Sequence, residues 1–360
     1  MTETMGLFSS SAPAGFVGID IGYGGIKIVE LKTEKQRLRL VTYAYVNLPA
    51  ESLEQSLLRD TANTGALLKR MLEKAKVTSK QAVASLPISG TFSSILHVPT
   101  TDEKAVKEAV QTQAKKLIPL PLEDVALDTV VIDKTAKSEQ EKAATRVLMT
   151  AAPKTLVNKY AEVCKHAGLE LKFLETEAFA SIRSLIGKDR ATVMIVDIGM
   201  LRTNILIVEQ GIPFVTRSIA SGGAAMTQTV AKTLGVPLEQ AETIKRDIGG
   251  LQKLTADQNI TPVLQVLVKP ILEEIRYATS LYESQSNGNE AKKIDKVIIT
   301  GGSSLLPQLT DFFTEQLGVN TYLGNPWARV VYPPELRPVL HELGPRFSVV
   351  IGCAMHDPVA

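Results

Sequence analysis

The sequence predicts an α/β protein built from two duplicated halves, with a smaller α+β unit inserted into the first. Three observations carry that prediction. An apolar strand, the tripeptide Asp-Ile-Gly, a short turn and a second apolar strand occur twice, in FVGIDIGYGGIKIVEL (residues 16–31) and MIVDIGMLRTNILIVEQG (residues 194–211). Strands alternate with helical patterns along most of the chain, as in layered α/β folds. Between about Val83 and Met149 the texture changes to short apolar runs around a single helix. Internal similarity at so wide a separation suggests duplicated halves rather than a solenoid.

Each element follows from local pattern. Val17 to Ile21 reads as a buried strand, broken by Gly22, Gly24 and Gly25, and Ile26 to Leu31 resumes it. Residues 38–46 form a third strand. Leu67, Leu68, Met71, Leu72 and Ala75 recur at helical spacing. In the inserted stretch, apolar runs at Ser85–Ile88 and Ile95–Val98 precede a helix. Thr100 and Glu103 are spaced as its capping box. Its apolar face is expected to be Val106, Ala109, Val110, Gln113 and Leu117, with Pro119 and Pro121 as the stop. Strands at 125–132 and 145–151 flank a charged tip, Asp133 to Lys142. A helix bearing Tyr160, Val163 and Cys164 ends at Gly168. A strand at 170–174, a helix from Glu177, strands at 192–196 and 203–208, and helices near 222–234, 238–248 and 262–284 follow. Pro270 is expected to kink the last of these. Lys296 to Thr300 is a strand broken by Gly301-Gly302, and Phe347 to Met355 is an apolar helix rich in small residues.

Composition narrows the function. The chain has 360 residues, 44% hydrophobic and 22% charged, as in an ordinary globular protein. A formal charge of +2 gives no whole-chain case for nucleic acid. Cys164 and Cys353 are the two cysteines and lie far apart, which points away from a disulfide framework and towards a reducing compartment. His97, His166, His341 and His356 have no ligand spacing. No apolar run approaches the roughly 20 residues of a membrane-crossing helix. The N-terminus lacks a signal peptide's charged start and long apolar run. Met5-Gly6 to Ser10 spells a myristoylation-like string, but internally. The short end containing Pro358 is unsuited to an amphipathic anchor helix.

The repeated hairpins suggest phosphate chemistry. Gly22, Gly24 and Gly25 remove side chains, so turn amides can approach a phosphate. Lys27 can place its ammonium on the same anion. Asp20 and Asp197 end two strands. Carboxylates repel phosphate, but they can hold a hydrated Mg²⁺ that bridges it. There is no GxxxxGK[ST] loop. A dinucleotide fingerprint needs a helix after the loop, and here a strand follows both times. Gly301-Gly302 can pack bare backbone against a base or ribose, or form a simple strand-to-helix turn. Glu242 and Lys245, three apart, share a helix face and are either ligands or a solvated ion pair.

These residues resemble the actin superfamily, with its ribonuclease H-like halves. Asp20-Ile-Gly-Tyr-Gly-Gly-Ile-Lys27 is similar to its first phosphate motif, Asp197-Ile-Gly199 to its second, and Ile299-Thr-Gly-Gly-Ser303 to its adenosine motif. Glu177-Ala-Phe-Ala and Phe347 to Met355 are similar to the two connecting helices. Within the superfamily, residues 84–150 resemble the extra subdomain of FtsA-type proteins, and AVQTQAKKLIPLP (109–121) followed by Leu127-Asp128 resembles the PilM family of type IV pilus assembly. The resemblance implies an actin-like first domain (16–83, with 151–188 and 346–360), an FtsA-type insertion (84–150) and a second domain (189–345) with a helical part at about 222–290. It implies ATP and Mg as ligands. Gly22, Tyr23, Gly24 and Lys27 fall on the β- and γ-phosphates, opposed by Gly199 and Thr203. Asp20 and Asp197 fall on Mg²⁺ and its waters. Gly301, Gly302 and Ser303 line adenosine, with Glu242 and Lys245 at ribose and base, and Glu177 positions water. Arg202 is either in the phosphate turn or a surface arginine.

The resemblance also implies a partner. PilM-like proteins grip the cytoplasmic N-terminal tail of the inner-membrane protein PilN in a groove between the first domain and the insertion. They couple pilus motor ATPases to the envelope-spanning complex. Apolar positions near 84–98 and 113–121 are candidate groove residues or subdomain core. The expected location is cytoplasmic, at the membrane only through PilN, with self-association as a further contact. Glu177 in place of actin's glutamine and the bulky Met200-Leu201-Arg202 turn imply weak or absent ATPase activity. The alternatives are a polymer-forming FtsA-like ATPase and a small-molecule kinase, for which no substrate motif is present. Trp327 is expected to anchor a loop, and Cys164 to lie in the core.

Overall fold

The structure, a computed structural model, describes residues 15–48, 57–135, 144–247, 259–284 and 292–356. The myristoylation-like string and most of the charged tip after Asp133 lie outside the described residues. In chain order the elements are β1 (Val17–Gly22), β2 (Gly25–Glu34), β3 (Arg37–Asn47), α1 (Thr61–Lys74), β4 (Gln81–Leu86), β5 (Phe92–Val98), α2 (Glu103–Leu117), β6 (Val125–Thr135), β7 (Ala144–Pro153) and α3 (Lys154–His166). Then come β8 (Glu170–Thr176), α4 (Glu177–Leu185), β9 (Val193–Ile198), β10 (Thr203–Glu209), β11 (Ile212–Ile219), α5 (Gly223–Leu234), α6 (Leu238–Arg246) and α7 (Thr261–Ser284). The last are β12 (Lys296–Thr300), α8 (Leu309–Leu317), β13 (Thr321–Leu323), β14 (Val330–Val331), α9 (Arg337–Leu343) and α10 (Ser348–Ala354).

The strands form three sheets, ordered β14-β3-β2-β1-β4-β8, β11-β10-β9-β12-β13 and β5-β7-β6. The first two share a plan. In each, a strand ending in Asp-Ile-Gly pairs antiparallel with the next, which pairs antiparallel with a third. On its other side it has two parallel neighbours. Strands buried on both faces read as continuous apolar runs, which is why Val193 to Val196 carries no alternation. On one face of the first sheet α1 and α3 bury Leu68, Tyr160 and Val163 against Ile19 and Ile28. On the other, Trp327, Leu340, Phe347 and Val350 cover Val29, Leu31 and Leu40. Trp327, 1% exposed, is the expected loop anchor, and Cys164 is in the core. In the second half, α5, α7 and α8 bury Met226, Val268, Ile271 and Phe313 against β9, β10 and β12. Pro270 lies inside α7, which is continuous over 24 residues.

Several expectations are corrected by the packing. The cap of α2 is Asp102, whose carboxylate accepts from the Ala105 amide at 2.8 Å. Thr100 is drawn away: its hydroxyl accepts from the Asp102 amide and its carbonyl from the Thr145 hydroxyl. The buried face of α2 is Val106, Val110 and Ala114. Leu117 is 44% exposed, because the chain turns extended at Ile118, which is buried instead. The 83/84 boundary falls inside β4, a strand of the six-stranded sheet. Residues from Pro326 pack on that same sheet through Trp327 and β14.

Candidate functional site

The two Asp-Ile-Gly turns meet where the sheets approach each other. In the first, Gly22 pairs with Gly25 across a two-residue turn, Tyr23-Gly24. Gly25 has φ +140°, and a Cβ there would lie 1.8 Å from the Val46 carbonyl oxygen, so β3 can come this close only to glycine. Asp20 pairs with Lys27 in the β1–β2 ladder, and Lys27 Nζ donates to Asp20 Oδ2 at 2.7 Å. Asp20 is 5% exposed. In the second turn, the Gly199 amide donates to the Arg202 carbonyl at 2.9 Å. The Gly223 and Ala224 amides at the start of α5 donate to Gly199 and Met200 carbonyls. Thr203 is buried and its hydroxyl donates to Ser221 O. A Cβ on Gly24 would lie 3.3 Å from Met200 Cβ, so the tips of the two turns face each other at contact range.

Asp197 is half-buried, and among the described residues no donor bonds its carboxylate. Its oxygens keep access to solvent, which leaves room there for a water or a hydrated cation. Burial pushes its carboxyl up to about 6, with Lys27 opposing and Asp20 adding. Gly301 backs directly onto it. Its φ is +87°, and a Cβ would lie 2.4 Å from Asp197 Oδ1 and from Ile198 O. The Gly302 backbone runs along the Arg346 side chain, and Ser303 Oγ donates to Gly199 O at 3.4 Å. Arg346 also lies over the Tyr45 ring and donates to Asn47 Oδ1.

Glu242 and Lys245 are brought to the same end as Ser303, around Gly223. Lys245 is 3% exposed and donates to Glu242 Oε2 (2.6 Å), Thr227 Oγ1 (2.8 Å) and Gly223 O (3.0 Å). The pair is thus not a solvated surface bridge. Burial opposes the charge on both, yet Lys245, Thr227 and Arg246 hold the Glu242 carboxyl below its ordinary value. The Lys245 ammonium is pulled down by burial despite Glu242. Arg202 lies in the second turn through its backbone, while its guanidinium turns onto β11 and donates to Ser218 Oγ and Ser218 O, so it is not a free surface arginine.

Glu177 opens α4. Its Oε2 accepts from the Ile88 amide at 3.1 Å and from Asn204 Nδ2 at 3.0 Å. Burial, reinforced by Asp20, pushes its carboxyl up to about 8 against the Ile88 hydrogen bond. At neutral pH it is mostly a neutral acid. Asn204 carries no motif signal. It becomes visible only when the two hairpins are aligned, because it follows Asp197 at the same offset as Lys27 follows Asp20. Two carboxylates, one ammonium and two glycine-backed turns around one cleft are suited to a phosphate chain with a hydrated cation.

The fold and this cleft define a protein of the actin-like ATPase fold: MreB5 of Spiroplasma citri, solved bound to ADP, superposes with a TM-score of 0.54 over 95% of both chains, at 14% identity. The chain belongs to the family of the type IV pilus assembly protein PilM, whose family model matches residues 18–357. A solved PilM–PilN type IV pilus biogenesis complex matches 95% of this chain and 98% of its own with a TM-score of 0.79 and 25% identity. The cell division protein FtsA of Neisseria meningitidis serogroup B is 25% identical over 276 residues, 69% of this chain. The chain spans 64% of that FtsA, less than two thirds of its length. Among the described residues no helix is long and apolar enough to cross a membrane.

Proposed function

We propose that this chain is a Mg-ATP-binding scaffold that grips the cytoplasmic N-terminal tail of PilN and links the pilus motors to the alignment complex. The observation that carries the nucleotide reading is the Asp197 carboxylate, half-buried, without a donor among the described residues, and walled by Gly301. In this reading Gly22, Tyr23, Gly24 and Lys27 take the β- and γ-phosphates, with Gly199 and Thr203 opposite. Asp20 and Asp197 hold the waters of Mg²⁺. Gly301, Gly302 and Ser303 line adenosine, with Glu242 and Lys245 behind them. Mg-ATP, when bound, supplies a hydrated cation and a phosphate chain that bridge the two halves.

The chain's own residues argue for slow or absent turnover. Glu177, the candidate water-positioning group, has one oxygen held by two donors and stays protonated near neutral pH, so it is a poor base. Met200 stands against Gly24, so a bulky side chain narrows the space between the two turns. The domain reading is two duplicated halves with an FtsA-type insertion. Strand pairing favours drawing the insertion from Pro87 to Pro153 and returning Pro326 to Pro345 to the first half. The PilM–PilN likeness supports the tail-binding role and a position at the inner membrane through PilN. Leu117 and Leu120, both more than 40% exposed, are the apolar positions of the 113–121 stretch open to such a tail.

The test is calorimetric titration of the full chain with the PilN N-terminal peptide in Mg-ATP. One-to-one binding is expected. Absence of binding by folded, ATP-loaded protein overturns this reading and puts ATP-dependent polymer formation first.

A further inference from the structure

Asn204 stands opposite Asp197 in the β9–β10 ladder, where Lys27 stands opposite Asp20 in the first hairpin. Lysine is long enough to reach its own aspartate. Asparagine is shorter and turns elsewhere. Its orientation is fixed by its neighbours. Arg202 Nε donates to Ser218 Oγ at 2.9 Å, so the Ser218 proton goes to Asn204 Oδ1 at 2.7 Å. That leaves Nδ2 facing Glu177 Oε2 as donor at 3.0 Å.

The same Glu177 oxygen accepts the Ile88 amide. Ile88 begins the short 3-10 turn Ile88–Gly90, which leads from β4 into β5 of the three-stranded sheet. Its side chain is buried with Ala178, Ile182 and Val193. The inserted unit also touches the second half directly, with Arg146 of β7 over the Phe214 ring of β11, 5.5 Å from its centroid. One carboxylate oxygen therefore joins α4 of the first half, the root of the insertion and the second hairpin.

We propose that Asn204 is a positioning residue that acts through Glu177 to fix the backbone at Ile88, so that the second hairpin and the root of the inserted unit move together. This deepens the nucleotide reading above and rests on it for one part only, the response of the junction to Mg-ATP. Closure of the β9–β10 hairpin on the β1–β2 hairpin displaces Asn204, and with it Glu177 and Ile88. The tie itself exists without nucleotide.

Hydrogen–deuterium exchange on the full chain, with and without Mg-ATP, tests it. Asn204→Leu keeps the size and removes the donor. Asn204→Gln keeps a donor. Ser218→Ala removes only the hydroxyl that orients the amide. Without nucleotide, exchange across residues 88–98 should rise about tenfold in Asn204→Leu, with α1 and α8 unchanged, as for loss of one part-buried hydrogen bond. Asn204→Gln should restore protection to within about twofold, and Ser218→Ala should show a smaller rise in the same segment. Wild-type protection of 88–98 in both Asn204→Leu and Ser218→Ala overturns the inference, as does an equal rise in the leucine and glutamine variants. If the wild type ignores Mg-ATP while the Asn204→Leu effect stands, the nucleotide reading fails and the tie survives.

Discussion

Lys27 and Asn204 occupy the same register position in two hairpins of the same plan, each directly across the ladder from an Asp-Ile-Gly aspartate. Their side chains do opposite things. Lys27 closes an ion pair with Asp20 inside its own hairpin, while Asn204 reaches out to Glu177 instead of Asp197, which has no donor among the described residues. The two halves therefore contribute unlike groups to one cleft: a neutralised carboxylate from the first and an open one from the second.

Removing Lys27 separates binding from stability. Lys27→Met leaves Asp20, 5% exposed, without its partner, and should lower the unfolding free energy by about 2–3 kcal/mol. The double variant Asp20→Asn/Lys27→Met should recover much of this, because no buried charge is then unpaired. Urea denaturation of the two variants checks it. Mg-ATP affinity should fall at least tenfold in both, as for loss of a charge-assisted contact of about 1.5–3 kcal/mol.

Glu177 makes the empty protein less stable as pH rises. Its folded carboxyl titrates at about 8, above its ordinary value of 4.5, so the folded state holds the proton longer than the unfolded chain. The contribution is fully present below the unfolded value and is lost as pH climbs through about 8. Glu177→Gln cannot lose that proton and keeps an acceptor for the Ile88 amide. It should match the wild type near pH 5 and exceed it by about 1–3 kcal/mol at pH 9. Thermal unfolding across that range decides. Parallel curves for the two proteins would show that the carboxyl titrates normally.

Gly301 and Gly24 should respond differently to the same methyl group. A Cβ at Gly301 meets Asp197 Oδ1 and Ile198 O at 2.4 Å on a backbone with φ +87°, so Gly301→Ala should cost about 2–4 kcal/mol and abolish nucleotide binding. At Gly24 the methyl meets only Met200 Cβ, at 3.3 Å, and the backbone is not in the left-handed region. Gly24→Ala should keep its midpoint within about 2 °C, since less than about 0.5 kcal/mol is at stake. It should still weaken Mg-ATP, because the turn's approach to a phosphate is narrowed. Paired melting and nucleotide titrations check both.

What the sequence discloses here is local chemistry. Asp20, Lys27 and their glycines lie within one hairpin, and Gly301 directly follows its strand, so spacing alone places them. Asn204 escapes because its role depends on β9–β10 register and on Ser218 in the next strand. Its only signal is the shared offset from the aspartate, which is visible once the hairpins are aligned. The 83/84 boundary falls within a strand because Gln81 to Leu86 is apolar enough for either unit, and only its pairing with β1 and β8 shows which sheet it joins. Thr100 and Leu117 err for a related reason. A good cap and a good apolar position were both available, and long-range partners, Thr145 and the core around Ile118, took precedence.

The contact between Arg146 and Phe214 is one of those through which the inserted unit rests on the second half. Arg146 is paired with Asp133 on β6 and presents its guanidinium to the Phe214 ring, while Lys292 lies 4.3 Å from the same ring centroid. The ring thus has two cationic neighbours, and losing one leaves the other. Arg146→Met should therefore cost only about 1 kcal/mol and Phe214→Leu about 1–2 kcal/mol. The double variant should fall short of their sum by about 0.5–1 kcal/mol, because the shared contact is lost once. Strict additivity in a denaturation cycle would mean that the two groups share no energetic contact.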